Sequence, residues 1–245
     1  MVFFSQLVGR VVCAFLLVAL IAGMASAAAI QDITFTGQAD SVTWTPLSEI
    51  DPIAEPNANG LFSESGVTFI NAIGNSSPRI DWTISGDVDP VLDGEFNVQN
   101  FANVDVTFSL SFDMNSIALA APTQTSGYID IELIDVNGDG ATFCDNGSDP
   151  VYMSLIDGAD HESLVAAGSL TLTAAPSGTA TYSDSFAVPG GAVVSTLGTE
   201  LVFKLSAGDR AVIKTNFTVV PEPTSLALLA VGLACLLSLS LRRKK

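Results

Sequence analysis

Val104-Asp105-Val106-Thr107-Phe108-Ser109-Leu110-Ser111-Phe112 puts an apolar side chain at every second position, with Asp, Thr or Ser between. Successive side chains of a strand point to opposite faces, so this run has one dry face and one wet face. The same period returns in Arg79-Ile80-Asp81-Trp82-Thr83-Ile84-Ser85 and in Leu201, Phe203 and Leu205. It continues in Ile213, Phe217 and Val219, where Thr215 fills the remaining inward place. A half-wet pattern predicts antiparallel sheet, because parallel strands are buried on both faces and read as unbroken apolar runs.

Working outward from these runs, further strands are expected at Ile33 to Thr36, Val42 to Thr45, Val67 to Asn71, Tyr128 to Val136, Val151 to Ile156, Ser169 to Thr173 and Thr179 to Phe186. Turn residues separate them: Asn59-Gly60, Gly74-Asn75, Asp93-Gly94, Asn137-Gly138, Asp139-Gly140, Asn146-Gly147 and Gly208-Asp209. The only helical signal is one short turn at His161 to Ala167, and the proline-rich Pro46 to Gly60 reads as a long surface loop. Ten or more short strands with tight turns predict an all-β fold, an antiparallel β-sandwich of jelly-roll-like kind. The last strand, Ala211 to Val219, runs directly into Val220 and Pro221, so the chain's tail is expected to hang from the edge of that sandwich with almost no linker.

Charge and cysteine content narrow the role. The body between the two hydrophobic ends (residues 28 to 220) carries 25 acids against Arg79, Lys204, Arg210 and Lys214, a net charge of −21. Phosphate binding rests on Lys and Arg, so nucleic acid and anionic membrane surfaces are excluded as partners. Such acidity serves solubility, or attraction to divalent cations and cationic matrix components. Cys144 is the body's only cysteine, read as a buried thiol; with no internal disulfide possible, stability has to come from a core.

The body offers little for catalysis. Its one histidine, His161, lies between Asp160 and Glu162 and is expected in a solvated loop. No G-x-S-x-G is present, and zinc sites built on His or Cys clusters fail by count. Paired carboxylates of the glycosidase type stay open, because spacing in sequence does not reveal spacing in space. Asp135-Val136-Asn137-Gly138-Asp139-Gly140 has the D-x-N-x-D-G spacing of half a calcium loop, which makes Asp135, Asn137 and Asp139 the candidate calcium ligands. The twelfth position is Asn146 instead of Glu and the flanks look like strands, so a plain hairpin turn is the competing reading. Asp87, Asp89 and Asp93 are a weaker candidate set.

Exposed aromatics that would serve a glycan-binding surface are Trp44, Trp82 and Tyr128, although Trp82 falls on the apolar stripe and reads as core. Sequons at Asn75, Asn146 and Asn216 occur at the rate that a Ser/Thr/Asn-rich chain predicts. Thr-x-Thr pairs such as Thr171 and Thr173 lack the fixed repeat of an ice-binding face.

The two ends are hydrophobic and carry cations on one side. Met1 to Ala27 reads as a signal peptide, with Arg10, an apolar core from Val11 to Gly23 and the small residues Ala25-Ser26-Ala27 for signal peptidase. Ala27-Ala28-Ala29 is an equally legal site. At the other end Pro221-Glu222-Pro223 is followed by an apolar run, 224 to 241, and then by Arg242, Arg243, Lys244 and Lys245. Eighteen residues at about 1.5 Å rise give about 27 Å, close to the hydrocarbon thickness of a bilayer, and the four cations stop transfer on the cytoplasmic side. Both ends therefore predict a body held outside the inner membrane.

This tripartite tail resembles the PEP-CTERM sorting signal of Gram-negative bacteria, a tail also known as the ice-binding-protein C-terminal domain. The resemblance implies recognition by exosortase, a membrane transpeptidase-like enzyme, with cleavage at or near the triplet. It also implies association with exopolysaccharide or biofilm. An ordinary single-span protein with a proline-rich linker is the alternative. The organisation expected is a signal peptide (1–27), a β-sandwich ectodomain (28–219) and a sorting signal (220–245). The function expected is that of a non-enzymatic exported protein, anchored until cleavage and then at the cell surface or extracellular. A carbohydrate-binding module and a secreted carboxylate hydrolase are the rivals.

Overall fold

The computed structural model describes residues 33–40, 42–44, 62–69, 78–87, 90–116 and 118–221. The signal-peptide segment, the Pro46 to Gly60 loop, Glu222, Pro223, the span 224 to 241 and the terminal cations lie outside the described residues. Among the described residues no helix is long and apolar enough to cross a membrane.

The described residues form fourteen strands, in order: β1 (Ile33–Ala39), β2 (Val42–Trp44), β3 (Phe62–Phe69), β4 (Arg79–Asp87), β5 (Val91–Gln99), β6 (Val106–Asn115), β7 (Thr123–Ile134), β8 (Ala141–Cys144), β9 (Tyr152–Ile156), β10 (Ala159–Leu164), β11 (Thr171–Ala174), β12 (Thr179–Gly190), β13 (Thr196–Leu205) and β14 (Arg210–Pro221). One sheet runs β10-β9-β13-β6-β1-β2, with β8 pairing β13 and carrying β11; the other runs β12-β7-β14-β5-β4-β3. Every pairing of these strands is antiparallel, as the half-wet pattern predicts.

A chain of rings shows that the sheets stack face to face. Phe35 of β1 lies 5.1 Å from Trp82 of β4 and 5.6 Å from Phe96 of β5, and Phe96 lies 5.2 Å from Phe112 of β6. Each contact joins one sheet to the other. A second stack, Phe108–Phe203–Phe143, fills the core beneath β6, β13 and β8. Ile80, Trp82 and Ile84 point inward, as do Leu201, Phe203 and Leu205, and so do Ile213, Thr215, Phe217 and Val219.

Several expectations are corrected. Val104 is 49% exposed and precedes the strand, which starts at Val106, so its apolarity belongs to the loop. Asp93-Gly94 is not a turn but the middle of β5. A Cβ at Gly94 would come within 2.8 Å of the Phe96 and Phe112 rings, so the glycine makes room for aromatic packing. His161 belongs to β10, not to a helical turn or a solvated loop, and a register shift between Asp160 and Glu162 bends that strand. Cys144 is half-buried instead of fully buried.

The strand feeding the tail runs straight to Pro221 with no linker, as expected. β14 is an interior strand, paired with β7 over its whole length and with β5 from Arg210 to Thr218. Its last residue, Pro221, is opposite Thr123 at the start of β7. The end of β6, the starts of β7 and β13 and the start of β1 gather on that rim: Ile33 is opposite Met114, and Thr196 opposite Asn115. Ile33 and Pro221, the first and last described residues, thus lie at one end of the sandwich.

Candidate functional site: the two ends of the exit strand

β14 connects the two places where the sequence predicts function. At its start, Arg210 follows Asp209, which belongs to the corner made by the β7–β8 turn. At its finish stands Pro221. The 12 residues of this strand, at about 3.3 Å per step, hold the two about 36 Å apart.

The corner is built by carboxylates that take up turn N–H groups. Asp135 Oδ1 accepts from Gly138 N at 2.9 Å; its Oδ2 accepts from Gly140 N at 3.2 Å and from Ser177 N. Gly138 and Gly140 sit at φ +87° and +100°, a backbone that L side chains adopt at a cost, which is why glycine follows Asn137 and Asp139. Asn137 turns its Oδ1 to Asp139 N at 3.0 Å and donates its Nδ2 to the Ala207 carbonyl at 2.9 Å.

Asp209, fully buried, accepts from Ser206 Oγ and from Val136 N at 3.3 Å. Beside it the buried Asn100 donates to the carbonyls of Val104, Leu205 and Ser206 at 2.9 to 3.0 Å. Carboxylate oxygens of Asp135, Asp139 and Asp209 lie within 4.8 Å of one another. The structure therefore brings two of the three predicted calcium residues together, adds Asp209, and points the oxygen of Asn137 at the backbone.

Two of these acids are shifted in opposite directions. Burial pushes Asp135 up, but the N–H donors of Ser177, Gly138 and Gly140 outweigh it and hold the carboxyl below its ordinary value. Asp209 is raised, chiefly by burial, against the pull of Ser206 and the Val136 N–H and with the Asp135 charge adding to the rise. The pair is arranged so that Asp209 keeps a proton longer than its neighbour.

The other predicted site residues are dispersed. Asp93 sits on the outer face of β5, accepting from Asn216 Nδ2 at 2.8 Å, and no side chain is described for Asp87 or Asp89. Trp82 is 2% exposed and Tyr128 37%; the side chain of Trp44 is not described. His161 Nε2 is 2.8 Å from Thr125 Oγ1, and its ring packs near Phe186 and Phe217. Burial lowers its pKa, and the Glu162 charge offsets part of that. Outside β3, β4 and β5 lies a shallow groove of about 340 Å³ lined by Ser65, Asp81, Thr83, Glu95 and Asn97.

At the other end of β14, Val219 is buried and its N–H donates to the Pro90 carbonyl at 2.9 Å. Val220 is 44% exposed, and Pro221 is exposed. Proline carries no N–H, so the last position of β14 donates no ladder bond.

Comparison with known proteins adds one assignment. Residues 219–244 match the family model of the PEP-CTERM protein-sorting motif, so the match begins inside β14. No curated protein matches the chain. Similar solved structures include the carbohydrate-binding module TmCBM61 in complex with β-1,4-galactotriose, at 11% identity over 66% of this chain and 88% of that one, TM-score 0.24. Another is the K1 cleaved adhesin domain of Lys-gingipain from Porphyromonas gingivalis, at 14% over 63% and 96%, TM-score 0.26. A third is the module CBM6cm-2 from Cellvibrio mixtus lichenase 5A in complex with cellotriose, at 14% over 63% and 86%, TM-score 0.16.

Proposed function

Because the chain ends in a PEP-CTERM protein-sorting motif, which implies export to the Gram-negative envelope and processing by exosortase, we propose that the sandwich is a cargo domain with a structural, non-catalytic role. It is held at the inner membrane by residues 224 to 241, released at or near Pro221-Glu222-Pro223, and then acts at the cell surface or in an exopolysaccharide matrix. The observation that carries this reading is the direct run of β14 into the matched motif. An acidic, disulfide-free body suits such a role, since its charge keeps it soluble outside the cell. Mass spectrometry of the secreted protein should find a new N-terminus near Ala27 or Ala29 and a C-terminus at or near the triplet. Intact ends on a cytoplasmic protein would remove the proposal.

The convergence of Asp135, Asp139 and Asp209 favours a second, smaller proposal: calcium binds at this corner. Those carboxylates would supply the oxygens and Asn137 would shape the loop. A bound cation would favour the ionised form of Asp209, so affinity should rise with pH. Millimolar calcium should raise the melting temperature of the wild-type domain and not that of Asp139→Asn; an equal melting temperature in calcium and in chelator would rule the site out. A glycan-binding role would draw on the groove beside Asp81 and Glu95 or on the exposed Tyr128, because the Trp82 ring is not available for stacking. Retention on immobilised neutral glycans, lost in Asp81→Ala, is its test.

A further inference from the structure

The sorting motif and the folded domain share three residues. Val219, Val220 and Pro221 belong to the matched segment and are also the last three residues of β14, opposite Thr125, Gln124 and Thr123. Pairing with β5 stops at Thr218, opposite Val91, so beyond that point β14 is held by β7 and by the bond from Val219 N to the Pro90 carbonyl. The start of β7 is itself fixed: Thr123 Oγ1 donates to the Gly191 carbonyl at 2.6 Å, and Thr125 Oγ1 donates to the Val188 carbonyl at 3.0 Å.

An enzyme that recognises an extended peptide takes its affinity from main-chain hydrogen bonds and its specificity from alternate side chains. At Val219 to Pro221 the main chain is already paired to β7, and the Val219 side chain is in the core. The same atoms cannot serve β7 and an active site together. We propose that the binding site for the processing enzyme, a transpeptidase-like membrane protein, starts within β14, and that the enzyme engages the triplet only after Val219 to Pro221 have come away from β7. The inference rests on the exosortase reading above. Strand ends open at far smaller cost than whole domains, so the competent state is a populated minority and the apparent affinity falls by its fraction.

The test follows processing of the full-length chain in cells that carry the enzyme and in cells that lack it. Inserting Gly-Ser-Gly-Ser-Gly between Thr218 and Val219 frees Val219 to Pro223 as one uninterrupted segment while Arg210 to Thr218 keep their ladder with β5, and should speed processing about tenfold, the factor set by about 1.4 kcal/mol of opening. The same five residues placed between Pro223 and Thr224 lengthen the tether without freeing the strand, and should leave the rate unchanged. Thr123→Val, which removes the bond from the start of β7 to the Gly191 carbonyl and leaves Val219 to Pro223 intact, should accelerate processing by a smaller factor. An unchanged or slower rate for the first insertion, or equal acceleration by both insertions, overturns the inference. Equal processing of the wild-type chain with and without the enzyme brings down the exosortase reading itself, and the inference with it.

Discussion

Asp135, Asp145 and Asp157 do the same work in three different loops. Asp145 accepts from Gly147 N, Gly168 N and Leu170 N at 2.7 to 2.9 Å, and Asp157 accepts from Val194, Ser195 and Thr196. A carboxylate that takes up several N–H groups ties distant stretches of chain, and losing it leaves those donors without a partner. Asp145→Ala should therefore cost about 1–3 kcal/mol in a urea melt. Asp145 is held below its ordinary value, first by the Leu170 N–H; Asp157 is lowered too, its backbone and Ser195 donors outweighing burial.

Groups with depressed values contribute stability above the ordinary carboxylate range, and that stability is lost as pH falls through the depressed values. Asp209, raised, has the opposite sign: its contribution is present at low pH and fades as pH rises through the raised value. The stability of Asp209→Asn relative to wild type should therefore improve between pH 4 and pH 8, measured by urea melts at each pH. These roles were hidden in sequence because an Asp that takes up N–H groups and an Asp that binds an ion have the same neighbours, Asn and Gly. Only the positions of Ser177, Leu170 and Ser195, far along the chain, separate them.

Among the elements, the strands with clean alternation were readable from the chain, and β5 was not. Asp93-Gly94 carries the composition of a hairpin turn, yet β5 pairs with both β4 and β14 through this dipeptide. The contact that explains Gly94 is with Phe112, on the other sheet, so no local rule could have found it. Gly94→Ala should destabilise by about 1–3 kcal/mol through overpacking, measured by thermal or urea unfolding. β10 escaped for a related reason: Asp-His-Glu is polar, and the strand is bulged where it meets β9. Its histidine gains a partner only because β7 lies beneath it. Since burial lowers His161, the stability its neutral ring supports is present above the ordinary histidine value and lost as pH falls through the lowered one. His161→Gln should flatten that part of the pH profile.

At the scale of the whole molecule, β14 is the member that the six-stranded sheet cannot lose. It separates β12-β7 from β5-β4-β3, so its removal leaves two fragments, each with a new unpaired edge. A chain of residues 28 to 221 should melt in a single cooperative transition, followed by circular dichroism, and a chain ending at residue 213 should not fold. The same strand sets the distance between the two ends of the sandwich: the sorting motif begins at one rim, and the Asp135 corner lies at the other.

What the sequence determined alone were the features written in local chemistry: the period of two that makes antiparallel strands, the Asn-Gly and Asp-Gly turn at residues 137–140, and the Pro-Glu-Pro tail with its cations. Each depends on residues a few positions apart, and backbone geometry reads them directly. Tertiary structure decided what depends on residues far apart in the chain: that Gly94 is a packing residue, that Asp209 joins Asp135, and that the exit strand is interior. These are consequences of stacking one sheet on another, where the side chain filling a gap or standing beside a carboxylate comes from a strand whose place the local pattern does not encode.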